Sequence, residues 1–336
     1  MRSRSALFAF VLAGCSIGGT SPSPAPSGAP PLGGYAIVAL GDDFTVGLGT
    51  MACGTQTQSG APCATSPAQA GAPQQIGANA NNAMMQTFAV TFAANHNGRS
   101  VTFVPLGVNG ALSGKLVPAP ESPFSGNLAV NPAQLPALAS IVAAAHARSD
   151  KVLILVFSGV NDVLDAAFTR LCPAGAVTGN PFGTTPPTVN APCTASGTTV
   201  SDAQGNARAG ILFAEYVALF AGIAQSNPDA VLYATVWDLS RIPATAATVP
   251  LANALSTKAG GETMVQLAND ALGAAGSGAG FRNVVAADLY AFLNANPTYL
   301  TDVAYFAPDA FHFTDQGYKT LASYLYQQFA AALPGF

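Results

Sequence analysis

Four short segments hold the residue types that can move a proton or steady a developing charge. They are Gly41-Asp42-Asp43-Phe44-Thr45-Val46-Gly47, Leu106-Gly107-Val108-Asn109-Gly110-Ala111, Ser158-Gly159-Val160-Asn161-Asp162 and Pro308-Asp309-Ala310-Phe311-His312. Together they supply carboxylates, side-chain amides, glycines and one imidazole. Asp309 stands three residues before His312, so an acid that can orient the ring lies within local reach of it. The other two histidines, His96 and His146, fall at helix ends without such a partner and read as solvated. Asp42 and Asp162 read as structural carboxylates that bond backbone in their own loops. Thr45, two residues along a tight turn from Asp43, is expected to point elsewhere.

These segments need a frame that gathers them. Apolar runs at 35–40, 101–105, 152–157, 230–237 and 283–289, rich in Val, Leu and aromatics, read as buried strands. Helical patterns at 82–95, 132–148, 160–170, 207–225, 262–274 and 315–333 alternate with them, and Asp315 is placed to cap the last. Strand and helix in strict alternation imply an α/β fold with a parallel sheet covered on both faces. In such a sheet a ligand sits beyond the carboxyl ends of the strands, where the four segments begin. Two cysteine-bearing stretches, 49–78 and 171–201, interrupt the alternation and read as loops over that edge.

In this order, at strand ends, the segments resemble the blocks of the SGNH/GDSL hydrolases: GDS-x-T-x-G, an inner Gly, G-x-N-D and D-x-x-H. Trp237-Asp238-Leu239-Ser240-Arg241-Ile242-Pro243 and Gly317-Tyr318 are further echoes, and the resemblance covers residues 35–336. It implies a three-layer α/β/α sandwich around a five-stranded parallel sheet of flavodoxin-like type, and hydrolysis of carboxylic esters of the esterase, lipase or deacetylase kind. It also implies roles: His312 as base, Asp309 as its orienter, and Gly110 and Asn161 as oxyanion donors. No metal or organic cofactor is implied.

The chain departs from the pattern at two places. Phe313 stands where the family keeps a Pro after the His. Asp43 occupies the position of the nucleophilic Ser. Attack by Asp43 on an ester would give an anhydride, with negative charge beside the forming oxyanion, so ordinary acyl transfer through it is disfavoured. Three readings follow. Water could be activated as the nucleophile; Asp43 could displace a group at saturated carbon; or the cleft could belong to a catalytically impaired pseudoenzyme that binds an acylated glycan or lipid.

The N-terminus sets the expected compartment. Arg2 and Arg4, a short apolar stretch at 6–13 and Leu12-Ala13-Gly14-Cys15 read as a lipoprotein signal over 1–15, with lipidation at Cys15. Residues 16–34, rich in Ser, Pro and Gly, read as a tether ahead of a single domain at 35–336. An exported, lipid-anchored protein of the cell envelope is expected, in the outer membrane if the host has one. The four remaining cysteines, Cys53, Cys63, Cys172 and Cys193, suit disulfides in that compartment, Cys53–Cys63 and Cys172–Cys193 being the simplest of three pairings. Zinc is disfavoured by the lack of CxxC spacing or nearby His. With 16 acidic against 12 basic residues and no basic run, nucleic acid is not an expected partner.

Overall fold

In the computed structural model, described for residues 33–47, 74–75, 84–96, 98–107, 130–165, 177–178, 188–189, 202–246, 249–256, 258–259 and 261–336, the five apolar runs form one parallel sheet. The strands are β1 (Tyr35–Gly41), β2 (Val101–Pro105), β3 (Lys151–Phe157), β4 (Ala230–Ala234) and β5 (Val284–Ala287). Their lateral order is β5-β4-β3-β1-β2, and Gln74–Gln75 adds a two-residue antiparallel edge beside β2. Every residue of β1 is buried, as expected of a central strand covered on both faces. In register, Tyr35 lies opposite Val101 and Lys151, and Gly41 lies opposite Phe157.

Among the described residues five helices cover the sheet: α1 (Met84–Asn95), α2 (Val130–Ala147), α3 (Asp202–Gln225), α4 (Met264–Gly278) and α5 (Asp315–Ala332). Helix α1 packs on α5, while α2 packs on α3 and α3 on α4. Right-handed crossovers account for the two groups. The chain runs one way from β1 to β2 and the other way from β3 onward, so the two sets of connections fall on opposite faces. That reversal opens a crevice between the carboxyl ends of β1 and β3, the switch point at which ligands of this topology bind.

Several element ends differ from the sequence expectation, each for a local reason. The run at 230–237 leaves the sheet at Ala234 because Val236 bonds a side chain instead of a strand: its N–H donates to Asn269 Oδ1 (2.8 Å) and its carbonyl accepts from Asn269 Nδ2 (2.7 Å). The run at 283–289 ends at Ala287 because Asp288 caps a helix over Leu289–Ala295, accepting from Ala291 N (2.9 Å). The cap of α5 is Thr314, which is extended and accepts from Gly317 N; Asp315 is the first helical residue. The expected solvated histidines both have partners. His96 bonds the Phe92 carbonyl (2.7 Å) and stacks on the Phe92 ring, and His146 pairs with Asp229 (3.1 Å). Cys15, Cys53, Cys63, Cys172, Cys193 and Gly110 lie outside the described residues. Among the described residues no helix is long and apolar enough to cross a membrane.

Candidate active site

The first functional turn is shaped by how β1 ends. Leu106 N–H donates to Ala39 O (2.7 Å), after which β2 no longer accompanies β1. Two residues on, the same edge of Gly41 is taken by the Gln134 side chain of α2. Gln134 Oε1 accepts from Gly41 N (2.9 Å) and Nε2 donates to Gly41 O (2.7 Å), so a buried amide substitutes for the missing strand. Gly41 has φ +149°, and a Cβ there would sit 1.9 Å from the Phe157 carbonyl oxygen, so only glycine fits. Asp42 then caps the single helical turn Asp43–Val46, its Oδ1 accepting from Phe44 N (3.2 Å). Thr45 turns away from the crevice and donates to Phe157 O (3.2 Å), tying the turn to β3.

Asp43 opens that turn and is fully buried. From the end of β3, Asn161 reaches it: Asn161 Nδ2 donates to Asp43 Oδ2 at 3.0 Å. Asn161 lies in the short helix Val160–Asp165, entered through Gly159 at φ +127°, where a Cβ would meet the Tyr216 hydroxyl at 2.4 Å.

The third element is a self-bonded loop. Asp309 Oδ1 accepts from the N–H groups of Phe311 and His312 (3.0 Å each), and Oδ2 bonds His312 Nδ1 at 2.6 Å. Ala310, at φ +57°, supplies the reversal that lets the carboxylate reach back onto its own loop. Burial alone would raise the Asp309 carboxyl. The His312 hydrogen bond and charge, with the two N–H groups, outweigh it and hold the carboxyl below the usual range. Asp309 is therefore an ionised acceptor, and His312 Nδ1 is the nitrogen that carries the proton. Nε2 is the ring nitrogen that Asp309 does not engage.

The loops meet through aromatic packing. The Phe44 ring, next in chain to Asp43, lies 5.2 Å from the His312 ring, 4.8 Å from Trp237 and 5.6 Å from Phe311. Tyr318, buried on α5, feels the same convergence: burial first, then the charges of Asp309, Asp43 and Asp42, push its hydroxyl well above the usual range. Asp42, too, is held well above the usual carboxylate range, by burial first and then by Asp43 and Asp162. Of the residues expected from sequence, Asp43, Asn161, Asp309 and His312 thus gather at one sheet edge. Among the described residues no three His, Cys, Asp or Glu side chains are grouped to hold a metal ion.

Two contributors escaped the sequence reading. Gln134 and Asn269 each clamp the backbone where a strand ends. Gln134 left no clear signal, since the opening of α2 also carries Asn131. Nothing in the pattern marked Asn269.

A buried acid–imidazole pair, an amide reaching from the neighbouring strand and a glycine-dependent turn form a set suited to acyl chemistry. The family model described as GDSL-like Lipase/Acylhydrolase matches residues 37–325. Comparison with curated proteins finds no match. Because that match runs from β1 into α5 and spans every element of the site, the chain belongs to the GDSL-like lipase/acylhydrolase family, a class of ester hydrolases.

Proposed function

We propose that this protein is an ester hydrolase of the cell envelope that uses water, not a side-chain hydroxyl, as its nucleophile. The observation that carries this reading is the His312 Nδ1–Asp309 Oδ2 bond of 2.6 Å, an oriented and fully buried base beside the Asp43 turn. In the proposed step His312 Nε2 takes a proton from water as the water oxygen bonds to the ester carbonyl carbon. The tetrahedral intermediate then collapses: the bond to the alkoxy oxygen breaks and that oxygen leaves with the proton from the imidazolium. Asp309 keeps the ring in the correct tautomer, Gly110 is the backbone donor for the oxyanion, and Asn161, held by Asp43 Oδ2, serves as the side-chain donor only when that bond opens, which slows turnover.

Asp43 does not serve as a covalent nucleophile in this scheme, since its acyl product would be an anhydride. General-base assistance is worth about 10²–10⁴-fold, well short of a full serine mechanism, so turnover is slow. The purified protein should hydrolyse p-nitrophenyl acetate measurably above buffer, and His312→Ala should remove most of that rate. Equal rates for the two proteins would overturn the reading. The Asn161–Asp43 bond favours the second reading, a catalytically impaired cleft that binds an acylated glycan or lipid, because it occupies a donor the reaction needs.

The location is part of the same proposal. Cys15 would be acylated after removal of the leader, and residues 16–34 would hold the domain off the membrane. Cys15→Ala should abolish incorporation of labelled palmitate in the expressing cell. Retained labelling would contradict the anchor.

A further inference from the structure

We infer that the Asp43 carboxylate is a built-in occupant of the oxyanion site, so that removing it opens a binding site for a short free carboxylate. This rests on the reading of Asn161 as the oxyanion donor. In hydrolysis of an ester, the amide that serves the oxyanion meets a negatively charged oxygen at about 2.7–3.1 Å. Asp43 Oδ2 already presents a carboxyl oxygen to Asn161 Nδ2, at 3.0 Å. A carboxylate is also the product group of the reaction. Residue 43 therefore holds, on the protein's own chain, the functional group that the site is shaped to receive and release.

The occupant is fixed. Asp43 and Asn161 are both fully buried, and Phe44, the next residue, is wedged among Phe157, Trp237, Phe311 and His312. The backbone on the other side is clamped by Gln134 and by the glycine-only contact of Gly41 with Phe157. The turn cannot easily carry the carboxylate out of the cavity, and a truncated side chain leaves a space that the turn cannot easily refill. Asp43→Gly deletes the whole CH2–carboxylate, a vacancy of the size of acetate, and Asp43→Ala deletes the carboxylate alone, a vacancy of the size of formate; each keeps the Asn161 donor. A purely structural link between two loops makes a different forecast: loss of stability and no ligand.

Acetate, with formate for Asp43→Ala, is the probe, titrated at constant ionic strength against chloride, with the full chain and with Asp43→Ala, Asp43→Gly, Asp43→Asn and the double variant Asp43→Gly/Asn161→Ala. Two signals report: the Asn161 side-chain amide in a ¹⁵N spectrum, and fluorescence of Trp237, the sole tryptophan, whose ring lies 4.8 Å from Phe44. Asp43→Ala and Asp43→Gly should saturate with a Kd on the order of 1–10 mM, at least about tenfold tighter than the unaltered chain. Asp43→Asn, which refills the volume, should behave like the unaltered chain, and the double variant should lose the response.

A folded Asp43→Gly that ignores acetate and a folded Asp43→Ala that ignores formate, each to about 100 mM, would overturn the proposal. So would equal binding by the unaltered chain or by the double variant. Should both truncations unfold in buffer, refolding in acetate decides: recovery of the native near-ultraviolet signal with acetate but not chloride supports the site, and no recovery overturns it. Failure here is distinct from failure of the catalytic reading. An Asp43→Ser protein that hydrolyses esters while Asp43→Gly ignores acetate sinks only the present inference, and acetate binding with an inert Asp43→Ser sinks only the catalytic one.

Discussion

Replacing Gln134 by Leu tests whether an amide side chain serves as the missing strand beside β1. Gln134 is 1% exposed, and its two bonds to Gly41, at 2.9 and 2.7 Å, are both buried. Leucine has a similar volume and no polar atom, so the Gly41 N–H and C=O lose their partners without gaining water. Each buried backbone group left unpaired costs about 1–3 kcal/mol, or about 2–6 kcal/mol for the pair. Burying a leucine in place of an amide returns roughly 1–2 kcal/mol. From the middle of each range the net expectation is a loss of about 2.5 kcal/mol, read as a lower urea midpoint at unchanged slope. Gln134→Glu refines the test: its carboxylate accepts from Gly41 N but can donate to Gly41 O only when protonated, so its deficit should shrink as the pH is lowered. A Gln134→Leu protein within about 0.5 kcal/mol of the unaltered chain would refute the clamp, and with it the account of how residue 43 is placed.

Further expectations concern charge and capping. Asp42 titrates above its usual value in the fold, so it favours folding most at low pH and its penalty grows as pH rises through the raised value. Asp42→Asn keeps the acceptor for Phe44 N; it should be more stable than the unaltered chain at neutral and alkaline pH, and thermal melts should show the gain vanishing below about pH 4. Asp309 has the opposite sign: its lowered carboxyl stabilises above the ordinary value and that stability is lost as pH falls through the folded one. Asp309→Asn should therefore flatten the acid limb of the melting curve. At α5, Thr314→Ala should cost about 1 kcal/mol through loss of the cap, while Asp315→Ala should cost only a few tenths, as a charge near the helix N-terminus; equal costs in urea titrations would contradict the assignment of Thr314.

The order of elements was legible because buried parallel strands are written as continuous apolar runs, and β1 and β3 are of that kind. Strand ends were less so. The sequence at 230–237 stays apolar past Ala234, and what stops the strand is Asn269, a residue far along the chain. The site residues were readable where the chemistry is local. Asp309 and His312 are three residues apart, and the carboxylate bonds its own loop. Asp43 and Asn161 are distant in sequence, and only their resemblance to ordered blocks tied them together. No pattern of residue types announces that the Asn161 amide is engaged by Asp43, because that depends on the register of β1 against β3. Thr314 and Asp315 are both good capping residues by type, and the extended backbone at Thr314 decides between them.

The most direct test of the central claim is ester hydrolysis by Asp43→Ser, with and without His312→Ala. If the site is an acyl-transfer centre lacking only its hydroxyl, the serine should raise p-nitrophenyl acetate hydrolysis by about 10²–10⁴-fold, and His312→Ala should erase the gain. A folded Asp43→Ser protein with no gain, or with a gain that survives removal of His312, would contradict it.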